Sequence, residues 1–445
     1  MAVPGSVIQV MNVLEAAGHQ AYLVGGSVRD ILLGREPSDY DVATDARPEQ
    51  VKALFPRAVP TGEKYGTITV LNGMPIEVTT FRRDGFYADG RRPQNVEFSD
   101  SLEEDVMRRD FTINALAMTE NGILIDYVGG RSDLQAGIIR CVGDPDHRFR
   151  EDALRMMRAV RFSSQLGFEI HSSTAAAATR NASLIANVSW ERIRDELAKI
   201  LVSDSPDMRT LHEVGLLAFI VPELAACYGF DQMNEHHDED VFEHTMRAIE
   251  LSPPRLNVRL AAMLHDVGKP KAFTIENGKG HFYGHHLDGE QMAREILHRL
   301  RFDSHTISDV CILVREHMSR YAFLRPRNVK RFINRVGVGN LDDLFDLQIA
   351  DVQASRPPYD LSGMLALRDE CRRVLSEKAP LTVRDLAVNG HDLMEWGMAP
   401  GREMGAMLQT MLDAVLKDPS LNTADGLRGV YQRYGGRESA CRDRR

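Results

Sequence analysis

Apolar residues change their spacing near residue 140, and that change limits the fold more than any other feature of the chain. Before it, short apolar runs alternate with turn signals. Ala21–Val24 reads as a strand ending at Gly25-Gly26, and residues 27–33 as a short helix stopped by Gly34. Residues 67–71, the pair Asn72-Gly73 and residues 76–81 read as a β-hairpin, because Asn and Gly both tolerate the positive φ of a tight turn. From Arg148 the spacing is helical: residues 149–162 and Trp190–Leu201 each carry an apolar stripe, with Ser189 a natural N-cap for the second. The pattern predicts an α+β chain: an N-terminal head with a small mixed β-sheet, then a mostly helical remainder. Pro253-Pro254, Pro357-Pro358 and Pro380 are its candidate boundaries.

At 445 residues the chain exceeds one typical core, so two to four domains are expected. Its cysteines (Cys141, Cys227, Cys311, Cys371 and Cys441) are scattered and form no C-x-x-C pair. That argues against a disulfide framework or a cysteine zinc site and suits a reducing cytoplasm. The apolar stretch 8–14 is broken by Gln9 and Asn12, and no run reaches the length of a bilayer, so a cytoplasmic protein with no membrane partner is expected. The net charge of −10 argues against a general nucleic-acid coat but leaves room for a local basic patch. One such stretch holds Arg320, Arg325, Arg327, Lys330, Arg331 and Arg335. It reads equally as a solvated helix face or an RNA track.

Chemistry gathers in the head. Gly25-Gly26 lets backbone approach a ligand closely, the following helix start suits an anion, and Arg29 adds a charge one turn in. In Asp39-Tyr40-Asp41, a strand would put both carboxylates on one face, where they repel unless a cation lies between them. Oxygen ligands suit Mg2+, and Glu77 on the second hairpin strand is a third acidic candidate. Further on, Asp152 and Arg155 are three residues apart in a predicted helix and share a face that Arg158 and Arg161 continue.

Read together, LVGGSVRDILLG and SDYDVAT resemble the signature of the polymerase-beta-like nucleotidyltransferase superfamily. MRRDFTINALAM and EDALRMMRAVRF are similar to later motifs of its bacterial class II branch, the CCA-adding enzymes and poly(A) polymerases. The resemblance implies addition of nucleotides from CTP and ATP to the tRNA 3′ end. It implies that Gly25, Gly26 and Arg29 bind the triphosphate and that Asp39 and Asp41 hold two Mg2+ ions, with Glu77 beside them. It implies that Arg109 and Asp110 meet the ribose, and that Asp152 and Arg155, with Arg158 and Arg161 behind them, act as a protein template. Cytosine and adenine both present an amine beside a bare ring nitrogen, which a carboxylate and a guanidinium can read. Residues 81–100 resemble the full flexible loop needed for the terminal A, which disfavours CC-only addition. A-only addition and poly(A) polymerisation remain alternatives.

In the second half, His244, His265-Asp266 and Asp351 follow the H…HD…D order of HD domains, with His285 and His317 as extra candidate ligands. Imidazole plus carboxylate suits a divalent transition metal. A metal-dependent phosphohydrolase and an inactive helical scaffold are both open, and an HD phosphohydrolase whose head merely binds nucleotide is the alternative of another class. Residues 381–401 resemble the family's tail, where tRNA contacts are expected. The resemblance divides the chain into a nucleotidyltransferase head (1–142), a helical neck with the nucleotide-selecting helix (143–206), an HD-type helical body (207–360) and a tRNA-binding helical tail (361–445).

Overall fold

A computed structural model describes residues 3–84, 96–231, 240–276, 279–319, 326–377 and 380–442. The chain forms two units: Met1–Ala226 with Arg299–Phe302, and Cys227–His298 with Asp303–Arg445. The boundary after Ala226 is not one of the proline sites. Pro253-Pro254, Pro357-Pro358 and Pro380 all fall inside the second unit. Proline ends a helix by removing a donor, but that does not separate two cores.

The first unit is built on a seven-stranded mixed sheet. Its strands are β1 (Ala21–Val24), β2 (Asp41–Thr44), β3 (Ala58–Gly62), β4 (Thr67–Leu71), β5 (Pro75–Thr80), β6 (Ala117–Met118) and β7 (Leu124–Ile125), ordered β3-β4-β5-β2-β1-β6-β7. Only β2 and β5 pair in parallel; the other neighbours are antiparallel. The alternation along β5 explains its placement: Ile76, Val78 and Thr80 turn into the core, while Pro75 and Glu77 stay exposed. Helix α1 (Gly5–Ala16) lays Val7, Val10, Met11 and Leu14, a one-face stripe, against β1 and β2. The hairpin forms as its sequence predicts, with Gly73 at φ +73°.

Two local expectations change. Strand β2 begins at Asp41, so Asp39 sits in the approach to the strand rather than on it. The predicted helix over 149–162 is broken into α3 (Pro145–Glu151) and α4 (Leu154–Leu166). Asp152 between them is extended, at φ −148° and ψ 102°. Asp144 caps α3 through the amide of Asp146, and Pro145 starts it, so this helix has its own beginning. Helix α5 (Trp190–Leu201) packs on α4; Ser189 has N-cap backbone geometry, although its side chain makes no capping bond.

The second unit is helical. Helices α6 (Val241–Leu251), α7 (Leu256–Leu264), α8 (His285–Arg299), α9 (Ser304–Glu316) and α11 (Leu341–Ala354) surround its centre, with α10 (Pro326–Val336) between the last two in sequence. Helix α7 buries Val258, Leu260, Ala261, Ala262, Met263 and Leu264 along with Arg259, whose Nε donates to the Ser252 carbonyl at 3.2 Å, and packs against α6, α9 and α11. Of the basic stretch, Arg320 and Arg325 lie outside the described residues, as does the side chain of Arg327. Lys330, Arg331 and Arg335 lie on α10, and Arg335 donates to Glu316 at 2.8 Å. Among the described residues no helix is long and apolar enough to cross a membrane.

Candidate active site and metal centre

The strand-to-helix turn after β1 places the first groups. Gly25 holds φ +74° and caps helix α2 (Gly26–Leu32). A Cβ there would stand 3.2 Å from Arg109 Nη1 and 3.5 Å from Asp41 Oδ2, so the bare backbone faces both groups. Arg29, on α2, donates to Asn114 Oδ1 at 2.8 Å and to Asp30 Oδ1 at 2.8 Å.

Asp41 is the register partner of Glu77 on the parallel strand β5. Burial raises its carboxyl to about 6, the charges of Asp39 and Glu77 add to that, and Arg109 opposes it. A carboxylate this disfavoured is relieved by a cation, and neighbouring carboxylates suit a hard ion such as Mg2+. The acids form no closed cage. Among the described residues, sets of three ligand atoms within 4.8 Å of one another occur only in the second unit. Mg2+ does not require such a cage, since it keeps waters and takes substrate phosphates as ligands.

Arg109 and Asp110 are adjacent but face different partners. Arg109 Nη2 donates to Asp105 Oδ2 at 3.1 Å, and Nη1 to the Asn114 carbonyl at 3.4 Å. Burial alone would raise Asp105, but Arg108 and Arg109 outweigh it and hold the carboxyl below its ordinary value. Asp110 accepts from Phe111 N and, through Oδ2, from both Nε and Nη2 of Arg158. Its burial is likewise outweighed, by Arg158 first, and its pKa falls to about 2.

The shared helix face predicted for Asp152 and Arg155 is absent, because Asp152 precedes α4. Its Oδ1 accepts from Leu154 N at 3.1 Å, and its Oδ2 from Arg192 Nη2 at 2.7 Å. Arg155 instead donates to Glu151 Oε2 and to the carbonyls of Arg148 (3.2 Å) and Arg108 (3.4 Å). Arg161 pairs with buried Glu196 on α5 at 3.2 Å. The four residues remain in one region, tied by partners that the sequence reading passed over. The spacing of Glu151 and Arg155, and of Asp105 and Arg109, is i,i+4 and legible. Glu196 and Arg192 come from a separate helix and left no local signal.

The second unit gathers a denser cluster. His244 Nε2 lies 3.2 Å from Asp351 Oδ1 and 3.3 Å from His265 Nε2. His265 Nε2 lies 3.1 Å from Asp266 Oδ2. The other carboxylate oxygen of Asp266 lies 3.4 Å from His285 Nε2, which is 3.2 Å from His317 Nε2. Thus His244, His265 and Asp266 form one three-ligand group, and Asp266, His285 and His317 a second, with Asp266 common to both. Three of the rings donate Nδ1–H to the carbonyl three residues back: His265 to Ala262, His285 to Phe282 and His317 to Val314. That bond fixes the tautomer and turns Nε2 inward, as in metal-binding histidines. Burial lowers His317 to about 3, leaving its ring neutral. For His265 burial is outweighed by Asp266 and Asp351, which raise it; the acids attract positive charge to this point, and a cation would supply it. Donor types, burial and orientation all fit a divalent transition metal.

Gly268 is a residue the sequence reading missed. A Cβ there would lie 2.3 Å from the His285 carbonyl, so only glycine lets the start of α8 bring His285 to Asp266. Lys269, buried beside it, reaches Asp266 Oδ2 at 2.7 Å.

Residues 21–140 match the poly A polymerase head domain, 167–228 the probable RNA and SrmB-binding site of polymerase A, and 241–344 the HD domain. The CCA-adding enzyme of Lactiplantibacillus plantarum is 34% identical over 423 residues, 94% of this chain and 93% of that protein. The chain belongs to the CCA-adding enzyme family. The CCA-adding enzyme of Bacillus pumilus is 54% identical over 195 residues, so that match spans only about half of the relative, 49% of its length. Among solved structures, the Bacillus stearothermophilus CCA-adding enzyme in complex with CTP aligns over 99% of this chain and 100% of its own, with TM-score 0.72 and 30% identity. The Thermotoga maritima CCA-adding enzyme shares the fold, with TM-score 0.59 and 21% identity over 96% of this chain and 94% of its own.

Proposed function

We propose that this chain adds C and A from CTP and ATP to the 3′ end of tRNA and releases pyrophosphate. The observation that carries the reading is the acidic centre at Gly25: Asp41 held against its own charge by burial, Asp39 and Glu77, beside a glycine turn that opens a helix. Family membership implies dependence on a divalent cation. We assign two Mg2+ ions to Asp39 and Asp41, with Glu77 flanking them. When bound, such ions activate the attacking hydroxyl and stabilise the leaving pyrophosphate.

The chain's own residues bind and select. The backbone of Gly25 and Gly26 and the guanidinium of Arg29 receive the triphosphate. Arg109 and Asp110 face the ribose. Asp152 accepts from the base amine and Arg155 donates to the ring nitrogen, once each exchanges its present partner, Arg192 or Glu151, for the base. Uracil and guanine present a carbonyl and an N–H there and would leave both groups frustrated, at about 1–3 kcal/mol each. The head (1–142), neck (143–206), body (207–360) and tail (361–445) then bind nucleotide, select it, carry the HD centre and hold tRNA. Of segment 81–100, on which the distinction from CC-only enzymes rests, residues 85–95 lie outside the described residues, and its ends pair as antiparallel strands, Arg82–Asp84 with Val96–Phe98. A cytoplasmic location accompanies this reading: Cys141, Cys227, Cys311 and Cys371 are buried and make no disulfide.

A second reading concerns the body and rests on the inward Nε2 atoms of His244, His265, His285 and His317 around Asp266. We assign the centre to a divalent transition metal and to hydrolysis of a phosphomonoester or a 2′,3′-cyclic phosphate.

Asp39→Asn and Asp41→Asn test the head directly. Incorporation of labelled CTP into tRNA should disappear in both, with tRNA affinity retained. Near-normal incorporation by either variant in Mg2+ would overturn the assignment.

A further inference from the structure

Phe162 is buried on α4 where guanidinium groups from two parts of the first unit meet. The Cζ of Arg161 lies 4.3 Å from its ring centroid, that of Arg29 5.3 Å and that of Arg158 5.5 Å. Phe111 closes on the ring edge-to-face, with centroids 5.8 Å apart and planes at 81°. Arg158 and Arg161 come from the same helix as the ring. Arg29 comes from α2, directly after the glycine turn.

Like charges gathered this closely repel, and each has its own acid: Asp30 for Arg29, Asp110 for Arg158 and Glu196 for Arg161. Those acids hold the charges singly and pull them apart, toward different elements. What the arginines share is the electron-rich ring, which attracts a guanidinium within about 6 Å of its centroid. Burial lowers Arg161 below the ordinary guanidinium value; Glu196 and Asp110 oppose that shift, and Arg158 and Arg29 add to it.

We propose that Phe162 is a positioning residue for nucleoside triphosphates, its ring gathering Arg29 with Arg158 and Arg161 into one preformed cationic cradle for the polyphosphate. The inference rests on the assignment of Arg29 to the triphosphate made above. It extends that assignment to the neck arginines and gives the ring a role other than packing. Because the polyphosphate is common to all substrates, Phe162 acts on CTP and ATP alike and leaves base choice to Asp152 and Arg155.

The test places phenylalanine bearing one, two or three ring fluorines at position 162 of the full chain. Fluorine withdraws charge from the ring with little change in volume. The dissociation constants of CTP and ATP, read by titration calorimetry, should rise stepwise, to about 10-fold with three fluorines. The thermal midpoint should fall by no more than a few degrees, and the ratio of CTP to UTP incorporation should stay fixed. Phe162→Tyr should bind as the parent does and Phe162→Leu more weakly. Constants that are flat across the fluorine series, or equal loss in the Tyr and Leu variants, overturn the proposal in favour of packing alone. Calorimetry needs no turnover, so a chain that binds CTP but adds nothing refutes the proposed activity while the titration still decides the ring. A parent chain that binds neither nucleotide overturns both.

Discussion

Asp41→Asn should stabilise the metal-free protein at neutral pH even though it ends nucleotide addition. An ordinary aspartate titrates at 3.8, and in the folded chain Asp41 titrates at about 6. The folded state therefore keeps a proton that the unfolded chain has lost, and stability falls as pH rises through that window. The displacement corresponds to about 3 kcal/mol against the ionised form at pH 7. Solvent around the exposed Asp39 and Glu77 screens part of it, so about 1–3 kcal/mol is expected. Asparagine is nearly isosteric and carries no charge to repel. Urea unfolding in EDTA at pH 4, 5, 6 and 7 would compare the variant with the parent. The variant's advantage should be near zero at pH 4, grow through pH 5–6 and level off by pH 7. Saturating Mg2+ should erase it, because the ions stabilise only the parent's acidic site. An advantage independent of pH, or a variant about 1 kcal/mol less stable than the parent at pH 7, would refute the electrostatic argument.

Other consequences follow from the same geometry. Asp152→Ala or Arg155→Ala should raise UTP and GTP incorporation relative to CTP by about 10-fold or more, measured by competition; an unchanged ratio would remove them as the template. Asp110→Ala strips Arg158 of its buried partner and should cost about 3 kcal/mol, the low end for a broken buried pair because Arg158 keeps 33% of its side-chain exposure. In the parent, Asp110 titrates at about 2, below the unfolded value, so its contribution is present above pH 4 and lost as pH falls toward 2; acid unfolding curves of parent and variant should converge there. His265→Ala should remove bound transition metal, measured by elemental analysis, and any hydrolysis with added Ni2+, Co2+ or Mn2+, while nucleotide addition continues. Loss of addition in that variant would tie the two centres together and contradict the assignment.

The sequence exposes whatever is local. The glycine turn, the hairpin at Asn72-Gly73, the strand Ala21–Val24 and the helix Trp190–Leu201 each carry their signal within a few residues, and each forms. Residues His244, His265, Asp266 and Asp351 were legible as a set from their order, and the fold brings them together with His285 and His317. The break at Asp152 was not legible, because the apolar stripe runs through 149–162 without interruption. Only the cap formed by Asp144 and Pro145 gives α3 a separate start. The partners of the selecting residues also escaped the reading. Arg192 and Glu196 reach across from α5, and nothing in a linear pattern says which arginine an acid on another helix will meet.

Addition of CCA is read by offering the purified chain tRNA transcripts that end before CCA, after C and after CC, with CTP, ATP or both, in Mg2+. The first transcript should gain two C residues and then one A when both nucleotides are present. The second should gain one C and then A, the third A alone, and growth should stop there. Addition confined to the transcript ending in CC, or a run of A residues beyond the first, would contradict it.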